Sequence, residues 1–309
     1  MIYTYTLTPS LDYTVYLPGF SPGKLNRSEE VYYYPGGKGI NVSRVLKRLG
    51  TDSTAVGLAG GFTGDYLEQF LWNEGIRTEL IRTDSITRIN VKIKSEQETE
   101  LNGPGPDITQ KELRQLLDRV RRMERGDWLV LAGRIPDSAG SDFAMDLAGI
   151  CRDIGIRLAV DTSGPVLKEL ADMKPELMKP NEHELGELFG AEIKTKEDAL
   201  HYARLLVRQG VRHVIVSMGG EGALYVSDTM EAEAQAPKVN VVNTVGAGDS
   251  LVSGFIAALE SGKSPEDAFR YGVAAGSATV SRSDLCRKED VDALAQQVTV
   301  THLNGGKNR

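Results

Sequence analysis

A carboxylate follows directly on a glycine-rich turn late in the chain. In the segment Asn243–Ser250 (NTVGAGDS), Asp249 comes immediately after Gly246, Ala247 and Gly248. The backbone N–H groups of those three residues can form a nest that binds an anion, and the dipole of the helix that follows favours an ionised Asp in its first turn. A base beside such a nest suits the transfer of a phosphoryl group to a hydroxyl. Taken alone, an Asp at this position is better explained as a helix cap.

Two further glycine clusters could let a ligand approach the backbone. Gly36–Asn41 (GGKGIN) precedes a helical pattern, so Gly37, Lys38 and Asn41 could meet an anionic or hydroxyl-rich ligand at the helix start. Ser217–Gly222 (SMGGEG) follows a strand and resembles a phosphate-binding loop, but it lacks the Walker spacing. Both clusters are also compatible with plain glycine turns, and for Ser217–Gly222 the turn is the simpler explanation.

The elements that must position these residues alternate between helix and strand. From about residue 107 onward, helical patterns separate the short apolar runs Asp127–Ala132, Arg157–Asp161 and Arg212–Ser217. Such runs predict a parallel sheet that is covered by helices on both faces. The loops that follow these strands would then meet at the carboxyl edge of the sheet, where α/β folds bind their ligands.

Two segments break this alternation. Residues 13–34 and 88–101 contain alternating runs typical of hairpins with one polar face. They predict a small antiparallel sheet that could cover a site or pair with a second subunit. A simple extension of the main sheet at its edge is the alternative. We expect the segment after Val300 to be loosely held.

Composition excludes several classes of protein. The 309 residues are 40% hydrophobic and 26% charged, as in an ordinary globular chain, and the net charge of −7 with no basic stripe argues against nucleic acid as a main partner. No apolar run approaches the roughly 20 residues that span a bilayer, and we expect no signal peptide. Only two cysteines occur, Cys151 and Cys286, which favours a reducing cytoplasm. The four scattered histidines argue against a zinc site.

The motifs GGKGIN and TVGAGD, which place Asn41 and Asp249 208 positions apart, resemble the two signature motifs of the ribokinase-like (PfkB) carbohydrate kinases. Between them, Asp161–Gly164 (DTSG) and Lys179–Glu184 (KPNEHE) are also similar to the pattern of that family. The resemblance implies a three-layer α/β fold with a mainly parallel central sheet flanked by helices, plus a small antiparallel β lid. It implies one kinase domain over residues 1–309, with the lid strands inserted at about 12–35 and 88–102.

Four segments resemble the phosphofructokinase and tagatose-phosphate kinase branch of this family: LTPSLDYTV, GKLNR, TRINVKI and ELNGPGP. This resemblance implies ATP-dependent phosphorylation of a ketohexose phosphate, foremost fructose 1-phosphate to fructose 1,6-bisphosphate. Tagatose 6-phosphate and fructose 6-phosphate remain alternative substrates. A homodimer through the lid is common in such relatives, and no membrane or nucleic-acid partner is implied.

The same resemblance assigns roles to individual residues. Asp249 would be the base, and Gly246, Ala247 and Gly248 would form the anion hole. Asp12 would accept hydrogen bonds from two sugar hydroxyls. The full set that would bind the sugar phosphate is Asp12, Lys24, Arg27, Gly37, Lys38, Asn41, Arg88 and Arg134. Lys24, Arg27 and Arg88 would hold the phosphate already on the sugar, although solvated surface charge remains an alternative.

Arg134 stands where this branch commonly has a small hydroxyl residue, so it either adds a cation for that phosphate or points to solvent. Asn243 stands where the family commonly has Asp.

The nucleotide would occupy the other side of the site. The residues that the resemblance assigns to ATP are Lys179, Asn181, Glu184, Ser217, Gly219, Gly220, Glu221, Gly222 and Gly248. Mg²⁺ would be held mainly by the ATP phosphates, with Glu184 acting through water, which suits an ion that keeps several of its own waters.

Two functions of other classes are alternatives to a kinase. A non-catalytic sugar-phosphate sensor on the same fold would be expected to lack the base or the anion hole, yet Asp249 and Gly246–Gly248 are intact. An NAD-dependent oxidoreductase would be expected to carry a dinucleotide fingerprint in its first βα turn, where this chain has Pro9–Asp12 instead.

Overall fold

Residues 1–303 are described by the computed structural model, and they contain two separate β-sheets. The strands are β1 (Ile2–Thr6), β2 (Ser10–Tyr16), β3 (Glu30–Gly36), β4 (Thr54–Ala59), β5 (Arg77–Arg82), β6 (Arg88–Lys94), β7 (Thr99–Asn102), β8 (Trp128–Ala132), β9 (Arg157–Asp161), β10 (Leu177–Met178), β11 (His213–Ser217), β12 (Ala223–Val226), β13 (Glu231–Ala234) and β14 (Val300–His302).

The main sheet has ten strands in the order β14-β13-β12-β11-β10-β9-β8-β1-β4-β5. The seven strands from β11 to β5 run parallel, and β12, β13 and β14 add to the β11 edge in antiparallel fashion. The predicted, mainly parallel central sheet is therefore confirmed. The segment after Val300 is not loose throughout, because Val300–His302 pairs with β13; residues 304–309 lie outside the described part of the chain.

Ten helices surround this sheet within the described residues. They are α1 (Lys38–Arg48), α2 (Gly61–Asn73), α3 (Gln110–Val120), α4 (Gly140–Ile154), α5 (Val166–Asp172), α6 (Glu182–Phe189), α7 (Lys196–Gln209), α8 (Ala247–Glu260), α9 (Pro265–Val280) and α10 (Lys288–Ala295). The start of α3 shows how the sequence sets a boundary: Thr109 and Glu112 form a reciprocal capping box. In residues 1–303, no helix combines the length and apolar character needed to cross a bilayer.

Strand β8 shows why the sheet needs a helical layer on each face. All five of its residues are buried. Leu129 and Leu131 belong to the core with α3 and α4, whereas Trp128 and Val130 belong to the core with α8 and α9. Because successive side chains of a strand point to opposite faces, a continuous apolar run requires cover on both sides. The three-layer architecture follows from this.

The small sheet has four strands in the order β3-β2-β6-β7, and it is separate from the main sheet. This confirms the predicted lid and removes the alternative of an edge extension. Its outer pairs are antiparallel, as expected, but the central pair β2–β6 is parallel. Hairpin patterns could not reveal that pair, because its two strands lie far apart in sequence. Asp12 lies within β2 of this sheet and not at the end of the first strand.

Candidate active site

A cavity of about 550 Å³ lies between the small sheet and the carboxyl edge of the main sheet. Two of the predicted glycine clusters open onto it. Gly37 (φ 113°) precedes α1, and Gly246 (φ 81°) precedes α8, so both positions use backbone conformations that favour glycine. The predicted site residues that line this cavity are Asp12, Gly37, Lys38, Asn41, Arg88, Arg134, Lys179, Asn181, Ser217, Gly246, Gly248 and Asp249.

Asp249 is the buried acid of the cavity, with a relative exposure of 5%. Its Oδ2 accepts a hydrogen bond of 2.8 Å from Nδ2 of Asn41. Burial and the neighbouring Asp161 raise the pKa of Asp249 from 3.8 to about 6, against the opposing effects of Lys38, Asn41 and Lys179. A carboxylate with a pKa close to neutrality is suited to accept a proton and to give it up again.

Asp161 holds two lysines at the same end of the cavity. Its Oδ1 lies 3.0 Å from Nζ of Lys38 and 3.3 Å from Nζ of Lys179. Burial alone would raise the pKa of Asp161, but the two ammonium groups hold it below its ordinary value. Burial lowers the pKa of Lys38, and the stronger combined effect of Asp161 and Asp249 raises it overall. Two fixed positive charges therefore flank the buried acid, where an anionic group could be received.

Asp12 also lines the cavity, in a dense set of donors. The Ser10 hydroxyl (2.7 Å) and Nδ2 of Asn90 (3.0 Å) both donate to its Oδ1, and Nζ of Lys92 lies 3.0 Å from its Oδ2. Gly36 makes this approach possible, since a Cβ at that position would lie 2.4 Å from Oδ1 of Asp12. A carboxylate fixed in this way can accept a hydrogen bond from a sugar hydroxyl.

Two arginines lie at the mouth of the cavity. The Nε of Arg88 is buried and has no hydrogen-bond partner within the described residues. Burial lowers the pKa of Arg88 and Arg134 lowers it further, while Asp12 acts in the opposite direction. Arg134 has a side-chain exposure of 73% and lies 3.4 Å from Asp137. An anion that bridges the two guanidinium groups would relieve their repulsion.

Unpartnered polar atoms are concentrated at this cavity. Within residues 1–303, four buried side-chain atoms lack a hydrogen-bond partner: Thr6 Oγ1, Arg88 Nε, Asn90 Oδ1 and Asp161 Oδ2. All four belong to residues that line the cavity. Because buried polar groups are normally paired, this concentration indicates a binding site for a polar ligand.

The residues expected to meet ATP are only partly brought together. Lys179, Asn181 and Ser217 line the cavity. Glu184 caps α6 reciprocally with Asn181 and lines a neighbouring cavity of about 640 Å³, which also contains Asn181.

The glycine turn after β11 lies outside the main cavity. Gly219, Gly220, Glu221 and Gly222 do not line it. At Gly222, with φ 102°, a Cβ would lie 2.0 Å from the carbonyl oxygen of Ala234. A structural turn therefore explains that glycine.

Of the residues predicted to bind the sugar phosphate, two lie away from the cavity, and several residues that line it were not predicted. Lys24 and Arg27 lie in the exposed loop between β2 and β3 and do not line the cavity. Ser10, Asn90 and Lys92 do line it, although sequence reasoning did not select them. The signal for the last two was present, because positions 88, 90 and 92 share one face of a strand.

No cluster of metal ligands is evident in the described part of the chain, since no group of three or more His, Cys, Asp and Glu side chains in residues 1–303 could hold a metal ion.

The α/β fold, the buried acid at the glycine-led start of α8 and the lysines around it are typical of a phosphoryl-transfer enzyme. Ala247 does not line the cavity, and its N–H donates to the carbonyl oxygen of Thr244. Residues 6–291 match the model of the pfkB family carbohydrate kinases. The chain belongs to the pfkB family of carbohydrate kinases. This excludes the NAD-dependent oxidoreductase that the sequence left for comparison.

Particular relatives extend over nearly the whole chain. A 1-phosphofructokinase of Bacillus subtilis is 47% identical over 98% of this chain and 100% of the relative. A D-tagatose-1-phosphate kinase of Bacillus licheniformis is 36% identical over 98% of this chain and 100% of the relative. The structure of phosphofructokinase-2 from Escherichia coli in complex with substrates and products superposes with a TM-score of 0.92 at 34% identity, covering 96% of this chain and 98% of that one.

Proposed function

We propose that this enzyme transfers the γ-phosphoryl group of ATP to the C6 hydroxyl of fructose 1-phosphate, forming fructose 1,6-bisphosphate and ADP. The observation that carries the proposal is the buried Asp249, whose pKa is raised to about 6, in a cavity that Arg88 and Arg134 also line. In this proposal the acid takes the reacting hydroxyl, and the arginines take the phosphate already on the sugar. The similarity to the 1-phosphofructokinase of Bacillus subtilis supports this choice of substrate.

In this proposal the sugar phosphate lies along the cavity. Arg88 and Arg134 bind its phosphate, and Asp12, Gly37 and Asn41 bind the sugar. Asp249 accepts the proton of the C6 hydroxyl while that oxygen attacks the γ-phosphorus and the bond from the γ-phosphorus to the β–γ bridging oxygen breaks. The amides of Gly246, Ala247 and Gly248 and the ammonium groups of Lys38 and Lys179 stabilise the charge on the phosphoryl group in transit.

ATP enters from the side of Lys179, Asn181 and Ser217, and the exposed residues Gly219, Gly220 and Glu221 lie in the turn that follows Ser217. Mg²⁺ would be held mainly by the ATP phosphates, with Glu184 acting through water, and it would supply positive charge to those phosphates. The reciprocal cap between Asn181 and Glu184 supports this assignment, because it fixes the Glu184 carboxylate.

The lid supports a homodimer. Asp12 faces the cavity, so the alternate residues of the small sheet face away from it. On that outer face Val31, Tyr33 and Leu101 have exposures of 37%, 48% and 58%, and Tyr33 stacks on Tyr13. An exposed apolar sheet face is readily covered by a second copy. Sedimentation should give the mass of a dimer, and a monomer at assay concentrations would remove this part of the proposal.

Residues 1–309 act in this proposal as one catalytic unit, since the site draws on residues from β2 to α8. The dependence on ATP and the free, buried Cys151 and Cys286 support a cytoplasmic location.

The decisive experiment compares substrates in an assay of ADP release. Fructose 1-phosphate, fructose 6-phosphate, tagatose 6-phosphate and tagatose 1-phosphate are each varied at saturating ATP. We expect the highest kcat/KM with fructose 1-phosphate. A higher value with another sugar phosphate would reassign the substrate. Binding without turnover for all four would favour the non-catalytic sensor.

A further inference from the structure

The Asp12 carboxylate has fewer free acceptor positions for a substrate hydroxyl than an unpaired carboxylate would have. Ser10 and Asn90 both donate to its Oδ1, and Lys92 lies at its Oδ2. A carboxylate offers about four lone-pair positions, so these three donors leave about one for the sugar. The sequence-based expectation gives Asp12 two sugar hydroxyls. If these three contacts are kept, the second hydroxyl needs a different acceptor.

Asn90 has the free acceptor. It lies directly opposite Asp12 in the β2–β6 register, lines the cavity and is 7% exposed. Its Nδ2 lies 3.0 Å from both Ser10 Oγ and Asp12 Oδ1. Because an ionised carboxylate only accepts hydrogen bonds, the NH₂ group must face Asp12. The amide oxygen is then the atom left over, and it is buried without a partner in the described structure.

We propose that Asn90 binds the sugar directly: its Oδ1 accepts a hydrogen bond from one hydroxyl of a vicinal pair, and Asp12 accepts one from the other. The inference rests on the proposed function, in which the sugar lies between Arg88 and Asp249. In the furanose form of fructose 1-phosphate, C2, C3 and C4 carry hydroxyls, and those on C3 and C4 are the vicinal pair that excludes the anomeric centre. Asn90 and Asp12 would together select this diol.

The test combines enzyme variants with substrate analogues. Values of kcat/KM are measured for fructose 1-phosphate and its 3-deoxy and 4-deoxy analogues with the wild type, Asn90→Ala and Asn90→Val. The Val variant suits a strand and also lacks the acceptor. Asn73→Ala, at the exposed end of α2, is the matched control. Thermal melting and the KM for ATP report whether each variant remains folded and binds nucleotide.

We expect both Asn90 variants to lose about 10- to 100-fold in kcat/KM with the full substrate. One of the two deoxy analogues should show no further loss with these variants, since the hydroxyl and its acceptor form a single interaction. If the loss from the variant and the loss from the missing hydroxyl multiplied for both analogues, the role of Asn90 would be overturned. Unchanged kcat/KM of the Asn90 variants with fructose 1-phosphate would also overturn it.

Turnover by the wild type distinguishes a failure of the Asn90 proposal from a failure of the proposed function. If the wild type prefers a different ketohexose phosphate, the substrate proposal fails, and the same cycle is run on deoxy analogues of the preferred sugar. If no ketohexose phosphate is turned over, both proposals fail.

Discussion

Asn41 and Asp249, 208 positions apart in the chain, are joined by a hydrogen bond of 2.8 Å from Nδ2 to Oδ2. The bond connects the first turn of α1 with the first turn of α8, so the two glycine-led helix starts open onto one cavity. It also favours the ionised form of Asp249, whereas burial and Asp161 act in the opposite direction. The pKa of about 6 is the balance of these effects, and it has consequences for both rate and stability.

The catalytic role of Asp249 predicts a pH-dependent rate. Asp249→Asn should fold and bind ATP but lose about 10²–10⁴-fold in kcat, the usual range for a general base. In the wild type the base must be ionised, so kcat/KM should be level above pH 7 and fall about tenfold per pH unit below about 6. Steady-state kinetics across pH 4.5–8.5 test this. An Asn variant with near-normal turnover would reject Asp249 as the base.

The same residue should make the fold less stable at neutral pH. The pKa of Asp249 is raised in the folded state from 3.8 to about 6, so its contribution to stability is present below about pH 4 and is lost as the pH rises through 6. A displacement of this size corresponds to about 3 kcal/mol. Asp249→Asn, whose amide oxygen can still accept from Asn41, should therefore melt several degrees higher than the wild type at pH 7.5.

Melting curves at pH 4 and pH 7.5 provide the internal control for this stability prediction. The advantage of the variant should shrink towards pH 4, where the wild-type carboxyl is protonated in the folded state and already partly protonated in the unfolded state. An advantage of equal size at both pH values would mean that the charge of Asp249 is not its cause.

Arg88 should determine sugar-phosphate affinity more than nucleotide affinity. Its Nε is buried and unpartnered within residues 1–303. Arg88→Ala should raise the KM for fructose 1-phosphate by about 10- to 100-fold, the range for a lost charge-assisted hydrogen bond, and leave the KM for ATP within about twofold. Arg134→Ala is the comparison: because that side chain is 73% exposed, its effect should be smaller. Equal changes in both KM values for Arg88→Ala would contradict the assignment.

The sequence predicted the parts of the site that depend on local pattern. The helix starts after Gly37 and Gly246, the buried strands and the small sheet are each encoded by residues close together in the chain. Residues Asp12, Asn41, Arg88 and Asp249 therefore lie at one cavity, as expected.

The other features of the site depend on pairing between segments that are distant in the sequence. The parallel β2–β6 pair sets Asn90 opposite Asp12 and places Lys92 one pleat further along, and no local pattern reports such a register. Likewise, the Lys38–Asp161–Lys179 cluster requires the order of β8, β9 and β10 in the sheet. The spacing between Asn181 and Glu184 is enough to predict a possible helix cap. It does not predict that Glu184 lines a neighbouring cavity.

Lys92 should act on the sugar through Asp12. Its Nζ lies 3.0 Å from Oδ2 of Asp12, with side-chain exposures of 11% and 15% for the two residues. Removing the lysine leaves a largely buried carboxylate without its cation and free to turn away from the substrate. Lys92→Met should therefore raise the KM for fructose 1-phosphate by about tenfold or more, with a smaller change in kcat and an almost unchanged KM for ATP.

If Lys92 positions Asp12, a variant that keeps the positive charge should keep the sugar affinity. A purely structural role does not predict this. Lys92→Arg keeps a cation beside Asp12 and should restore most of the sugar affinity, even if both variants melt at a lower temperature than the wild type. Lys94→Met is the matched control, since Lys94 pairs with Glu98 at the exposed end of the same strand and does not line the cavity. If Lys92→Arg were as impaired in sugar KM as Lys92→Met, or if Lys94→Met raised it equally, the contact between Lys92 and Asp12 would not be what holds the substrate.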